Sequence, residues 1–328
     1  MIVALAGGVG GAKLAQGLAL AVSPGDLAVV VNTADDFALY GLRICPDLDT
    51  VLYTLAGVAD PVQGWGIAGD TFQALGAIAR YGRDPWFRLG DQDFATHIVR
   101  TERLGAGATL TEVTAELAGA LGVASRVLPM TDEPVATLVD TPAGRLGFQD
   151  YFVARRQADD VLGVVFAGVE AARLPAAVEE GIAAAELIVV CPSNPIVSVG
   201  PILAVPGLRR AILDGPAPVV AVSPIVGGKA LKGPADRMLA TLGHEVSAVG
   251  VAALYAEDGL IDGFVIDEQD AALAPRIEAL GMRVLATRTV MGGADDRRRL
   301  ADEVLAFGRG LGDRDAVSPG VAGRGRAS

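Results

Sequence analysis

Near its N-terminus the chain runs from a short apolar segment into AGGVGGAK, residues 6–13, where four glycines precede a lysine. A strand that ends in such a stretch and opens a helix offers backbone N–H groups to an anion, and a compact ammonium beside them suits a phosphate. Lys13 is expected in the first turn of that helix, where its charge opposes the helix dipole by about 0.3–1 kcal/mol unless an anion sits there too. Of the 27 basic residues only Lys13, Lys229 and Lys232 are lysines, and the second and third lie in another glycine-rich stretch, SPIVGGKALKGP. Gly8, Gly10, Gly11, Lys13 and Lys229 are therefore candidates for phosphate binding. The stretch is not a Walker loop, because GGAKL lacks the Lys-Ser/Thr ending that would present a hydroxyl to magnesium. Nor is it a clean dinucleotide fingerprint: counted from Gly8 the third glycine is replaced by Lys13, and the second strand ends in Asn32 instead of an acid for a ribose.

The next loops are acidic. NTADDFALYGLRICPDLDT supplies Asp35, Asp36, Asp47 and Asp49 within fifteen residues. Any one of them is an ordinary turn residue. Together, near a phosphate site, they suit magnesium, which takes one or two carboxylates plus phosphate oxygens. One carboxylate could also act as general base on an alcohol. Further along, PSNP follows a strand. Ser193, Asn194 and Ser198 there are either plain helix caps or donors to a phosphate or guanosine. His97 shares a helix with Arg100 one turn away and stays outside the catalytic set; His244 reads as structural. Trp65 and Trp86 either stack on a planar ring or close a local core.

The elements that must position these residues read as an α/β chain. IVALA, LAVVVNT, LIVVCPSNP, VVAVSPI, EVSAVGVAALY, FVID and RVLAT are short runs rich in β-branched residues and read as buried parallel strands. AKLAQGLALAV, PADRMLATLG and DDRRRLADEVLAFG alternate with them as helices. The pattern predicts a doubly wound, Rossmann-like, mostly parallel sheet whose ligands bind beyond the carboxyl ends of the strands. Residues 1–55 and 151–308 form this core. Residues 56–150 are expected to form a mainly helical insertion, a lid or substrate subdomain, with one helix over DTFQALGAIARYG and another begun by a Thr109–Glu112 capping box and stopped at Gly122. PVATLVD and GRLGFQD then return the chain to the sheet, and residues 309–328, rich in Gly, Arg and Ser, read as disordered.

Composition narrows the partners. A chain of 328 residues, 51% hydrophobic and 20% charged, can bury a large core. Its net charge of −12 argues against nucleic acid and anionic membrane. Two distant cysteines, Cys45 and Cys191, are too few for a disulfide framework and read as packing residues in a reducing compartment. The expectation is a cytoplasmic protein with small-molecule partners, and a homodimer on the grounds that this is the commonest soluble assembly.

GGVGGAK, VVVNTADDF, CPDLDTVLYTL, RLGDQDFATHIVRT, LPMTDEPV, PSNPIVSVGPILAVPG and SPIVGGKALKGPA, in this order, resemble the 2-phospho-L-lactate transferase family of coenzyme F420 biosynthesis, which includes a phosphoenolpyruvate transferase branch. The resemblance implies a magnesium-dependent transfer of a phospholactyl, phosphoenolpyruvyl or phosphoglyceryl group from its diphospho-guanosine carrier to the ribityl hydroxyl of the deazaflavin Fo, with release of GMP. It also implies that Asp49 and Arg88 contact the deazaflavin and that the acidic loops hold the metal. Asp35, Asp36 and Asp47 are the ligand candidates, and Asp36 and Asp49 the catalytic ones. The sequence does not choose among the three acids. A competing class is a non-enzymatic, nucleotide-sugar-binding regulator of a related family that shares the glycine loop and fold.

Overall fold

The computed structural model describes residues 1–256 and 259–312. Seven strands form its main sheet: β1 (Ile2–Ala6), β2 (Leu27–Val31), β3 (Arg126–Pro129), β4 (Leu187–Val190), β5 (Val219–Val222), β6 (Gly263–Asp267) and β7 (Arg283–Thr287). In space they run β7-β6-β5-β4-β1-β2-β3, and every pairing is parallel. β1 and β2 are buried at every position, as strands covered on both faces must be. Alternate residues feed two cores. Val3 and Leu5 pack on one face, while Ile2, Ala4 and Ala6 pack on the other against helix α1 (Gly8–Ala21) and the helix Ala294–Arg309.

The doubly wound reading therefore holds, and the topology locates the site. From β1 the chain winds outward through β2 to β3, and β4 returns on the opposite side of β1. Helices leave the carboxyl ends of β1 and β4 in opposite directions there, which opens a crevice. Four further helices matter: α2 (Pro46–Leu55), α3 (Gln73–Arg80), α4 (Asp91–Gly105) and α5 (Leu110–Ala120). The Thr109–Glu112 capping box at the start of α5 is present, and Gly122 takes φ +71° just beyond its end.

Three expectations need correction. Arg126–Pro129, inside the segment read as a helical insertion, is the edge strand of the main sheet. Four residues ending in proline carry too little periodicity to announce a strand, and an edge is where proline is tolerated. The runs at 136–141 and 144–147 do not rejoin that sheet; with Gly163–Ala167 they make a separate three-stranded antiparallel sheet that crosses the expected boundary at 150. EVSAVGVAALY is not a strand, because Ala248–Ala256 is a helix buried on nearly all sides, and a short all-apolar run does not distinguish the two states. Most of the expected disordered tail, residues 313–328, lies outside the described residues; Arg309 ends the last helix.

Candidate active site

The glycine turn sits in the crevice between β1 and β4 and is held from three sides. Gly8 takes φ +61° and its N–H donates to Asp47 Oδ1 at 2.9 Å. Asp47 Oδ2 accepts from Asn32 Nδ2 at 3.0 Å, and the Gly7 N–H donates to Ser193 Oγ at 3.0 Å. A side chain at Gly7 would lie 2.6 Å from Asp47 Oδ2 and 2.8 Å from Ser198 Cβ, so only glycine lets these loops close. Gly10 lies against the Pro192 carbonyl and Gly11 against Ser193 Oγ in the same way. Asp47, expected as a metal ligand, thus has both oxygens engaged in clamping this turn. Asn194 acts as a cap, its Oδ1 accepting from the Ile196 and Val197 N–H groups.

Lys13 falls in the second turn of α1, not the first, because the helix begins at Gly8. Its ammonium donates to the Met291 carbonyl at 2.9 Å, and its pKa is lowered by burial and then by Arg297 and Lys232. Arg297 Nε is buried without a partner. Among the described residues these three cations form no salt bridge, although Asp60 feels the field of Lys232. Lys232 donates to the Gln63 carbonyl at 2.7 Å. Lys229, in a two-residue strand of a tight hairpin, is exposed.

Asp35 and Asp36 are buried beyond the end of β2, at 5% and 8% exposure. Asp35 Oδ1, Asp36 Oδ1 and the Thr137 hydroxyl have no hydrogen-bond partner, and all three residues line one cavity of about 140 Å³, roofed by Phe37, Trp86 and the antiparallel sheet. Burial pushes the Asp36 carboxyl up to about 7, even with Arg43 3.2 Å away. Asp35 is raised well above the carboxylate range by burial and then by Asp47; burial takes Asp47 to about 6. Unpaired polar groups at such depth cost free energy unless a ligand completes them.

Asp49 has the opposite surroundings. Both of its oxygens accept from Arg100, with Nη1 at 3.0 Å from Oδ2, and Arg100 is completely buried. His97 lies between them, Nδ1 3.6 Å from Asp49 and Nε2 3.3 Å from Asp93. Tyr53 closes the network by donating to Asp93 Oδ1 at 2.7 Å. Among the described residues Asp49, Asp93 and His97 are the group whose ligand atoms converge closely enough for a metal. The guanidinium beside them already neutralises Asp49 and repels a cation. Asp35, Asp36 and Asp47 do not converge in that way. Arg88 is exposed with its guanidinium 4.3 Å from the centre of the Phe72 ring.

Sequence reasoning left Asp93, Tyr53, Thr137, Arg43 and Arg297 out of the site. Asp93 and His97 were accessible from their i, i+4 spacing on one helix. Thr137 and Arg297 carried no signal, since chain folding alone brings them to the cavity and to Lys13.

Comparison with known proteins follows this geometry. The family model of 2-phospho-L-lactate transferase CofD matches residues 2–287. A phosphoenolpyruvate transferase of Streptomyces griseus is 45% identical over 309 residues, covering 93% of this chain and 97% of its own. A 2-phospho-L-lactate transferase of Methanosarcina acetivorans is 40% identical over 306 residues, covering 93% and 98%. Among solved structures, a UPF0052-family protein of Bacillus halodurans superposes with a TM-score of 0.62 at 15% identity, covering 93% of this chain and 99% of the other, a likeness of fold alone. With a family model spanning the sheet and both acidic loops, and relatives of this identity over nearly their whole length, the chain belongs to the 2-phospho-L-lactate transferase family.

Proposed function

We propose that the protein transfers a phosphoenolpyruvyl or phospholactyl group from its diphospho-guanosine carrier to the ribityl hydroxyl of the deazaflavin Fo. The observation that carries the reading is that Asp35, Asp36 and Thr137, each with a buried side-chain oxygen lacking a hydrogen-bond partner, line one cavity. Asp35 Oδ1 and Thr137 Oγ1 are hard oxygen donors that would suit magnesium, with Asp35 as the principal ligand and Asp36 left as the base; the ion would supply neutralising charge to the diphosphate. Lys13 and Arg297 add positive charge on the α1 side, and the glycine turn adds backbone N–H groups.

In the reaction the hydroxyl oxygen forms a bond to the phosphorus that carries the acid. The bond from that phosphorus to the bridging oxygen breaks, and GMP leaves with the bridging oxygen and its electron pair. The hydroxyl proton passes to Asp36 Oδ1, whose pKa of about 7 matches a base working near neutrality. Asp49, fixed by Arg100, serves as a positioning residue, and the exposed Arg88, held over the Phe72 ring, meets the acceptor's polar edge. The relatives named phosphoenolpyruvate transferase stand at 44–46% identity and those named 2-phospho-L-lactate transferase at 37–40%, which supports enolpyruvate as the acid.

The test is turnover with Fo, magnesium and each acid diphospho-guanosine, following GMP and the mass of the deazaflavin product. Product with the enolpyruvyl donor is expected. Nucleotide binding with no product from any donor would favour the regulator class instead.

A further inference from the structure

Between α2 and α3 the chain crosses the glycine turn, and the reaction as derived leaves this crossing unused. Residues 58–68 form a strap bonded largely to itself. Ala59 bridges to Ile67, the Asp60 N–H donates to the Gly66 carbonyl at 3.0 Å and the Ala68 N–H to the Val58 carbonyl at 2.8 Å. At the tip Asp60 Oδ1 accepts from the Val62 and Gln63 N–H groups at 2.8 and 3.0 Å. Val58, Ala59 and Ile67 root the strap on the core that packs against α1. Gly57 and Gly69 flank it in the left-handed region, φ +72° and +69°, and at neither would a side chain meet an atom within 4 Å, so both feet have the freedom and the space of hinges. The tip reaches the glycine turn at Gly64, where a Cβ would lie 2.7 Å from Val9 Cγ1 and 3.1 Å from Lys232 Nζ. Lys232 holds the tip down by donating to the Gln63 carbonyl at 2.7 Å and, more weakly, to the Val62 carbonyl at 3.5 Å. Val62 and Leu231, on the two sides of this contact, are 85% and 57% exposed, so apolar burial adds little and the lysine is the main fastening.

That fastening is a cation on neutral carbonyls, set near two other cations. Burial, then Arg297, then Lys232 lowers the pKa of Lys13, which puts Lys232 within electrostatic reach of the ammonium on α1. An ammonium has three N–H donors, and two carbonyls leave Lys232 one more. We propose that the strap is a lid over the glycine turn and that Lys232 is its latch: when a phosphate group of the donor sits on the turn, Lys232 gives one N–H to that anion while keeping hold of the tip. Without an anion, repulsion between Lys13 and Lys232 loosens the latch. An anion between them cancels the repulsion and adds a charge-assisted hydrogen bond. The anion thus interacts more strongly with the closed strap than with the open one, and its binding shifts the population to closed. Closure shields the reacting phosphorus from water, which would otherwise compete with the acceptor hydroxyl. The lid rests on the transferase reading for the identity of its anion.

The experiment measures hydrogen exchange of residues 58–68 by mass spectrometry in the parent protein, Lys232→Met and Lys232→Arg, each alone, with saturating GDP and with guanosine, magnesium being present throughout. In the parent, GDP should slow exchange of the strap about tenfold, the effect of one charge-assisted hydrogen bond on local opening. Guanosine, which brings no phosphate, should leave it unchanged. Lys232→Met should lose most of the protection while exchange in the main sheet stays as in the parent, and Lys232→Arg should keep it. Gly64→Ala, whose methyl group has no room between Val9 and Lys232, should hold the strap open and exchange like Lys232→Met. GDP bound to the parent without slowed exchange, or full protection in Lys232→Met, would overturn the latch while leaving the transferase reading intact. Protection by guanosine equal to that by GDP would overturn the role of the anion. A parent protein that neither binds GDP nor makes product would overturn both the lid and the transferase reading.

Discussion

Two acidic clusters lie beside one another near the carboxyl end of β2, and they differ in what surrounds them. Asp49 is paired through both oxygens with Arg100 and Asp93 Oδ1 accepts from Tyr53, while His97 Nε2 and Arg100 Nε in the same cluster make no hydrogen bond. Asp35 and Asp36 are equally buried, line a cavity, and each keeps a carboxylate oxygen without a partner. Desolvation cost is similar for both; at Asp49 the chain pairs both carboxylate oxygens, whereas at Asp36 Arg43 pairs only one. The difference teaches that burial of a carboxylate does not mark function. A buried carboxylate that lines a cavity and keeps an unmatched oxygen is the one a group from outside would complete.

The sharpest way to break the contrast is Asp36→Asn. It should lower kcat about 10²- to 10⁴-fold, the range of a general base, with GDP binding retained. The folded-state pKa of about 7 lies above the ordinary 3.8, so the charged form is disfavoured on folding and stability falls as pH rises between the two values. The metal-free variant should therefore be at least as stable as the parent at pH 8. Loss of stability there would move Asp36 into the satisfied class.

Arg100→Met tests the other cluster. Removing one partner of a buried pair strands the other charge, and about 3–5 kcal/mol of unfolding free energy should be lost. Urea denaturation measures it. A change below about 1 kcal/mol would mean the network is hydrated and worth no more than a surface pair.

The smallest effect is expected at Asp267, a buried acid on the far side of the sheet. Burial alone would raise its pKa, yet hydrogen bonds from the N–H and hydroxyl of Thr289 and from Gln269 outweigh this and hold it low. Asp267→Asn should cost about 1–2 kcal/mol near pH 7. Because the folded-state pKa is depressed, that stability is present above the ordinary carboxylate value and is lost as pH falls through the folded one. Thermal unfolding of parent and variant should converge on acidification, and parallel curves would exclude the ionic contribution.

Legibility followed the range of the interaction. Strands β1 and β2 and helices α1 and α5 were visible because burial, glycine stops and the Thr109–Glu112 box act over a few residues. The acidic loops were visible as residue types close in sequence. Their division into clamp, network and open site was not, since Asp47 meets Gly8 across 39 residues and Asp49 meets Arg100 across 51. The helix at 248–256 was misread because its residues are apolar on every side, which removes the periodic signal.

What the sequence alone determined is the parallel sheet, the glycine turn at the end of its first strand, and the presence of carboxylates and lysines nearby, all local consequences of side-chain type and spacing. Only tertiary structure decided which carboxylates keep an unpaired oxygen, that Thr137 joins them, and that Lys232 reaches the strap across the glycine turn. Hydrogen-bond satisfaction depends on groups brought together by folding from distant parts of the chain, and no spacing along the chain encodes it.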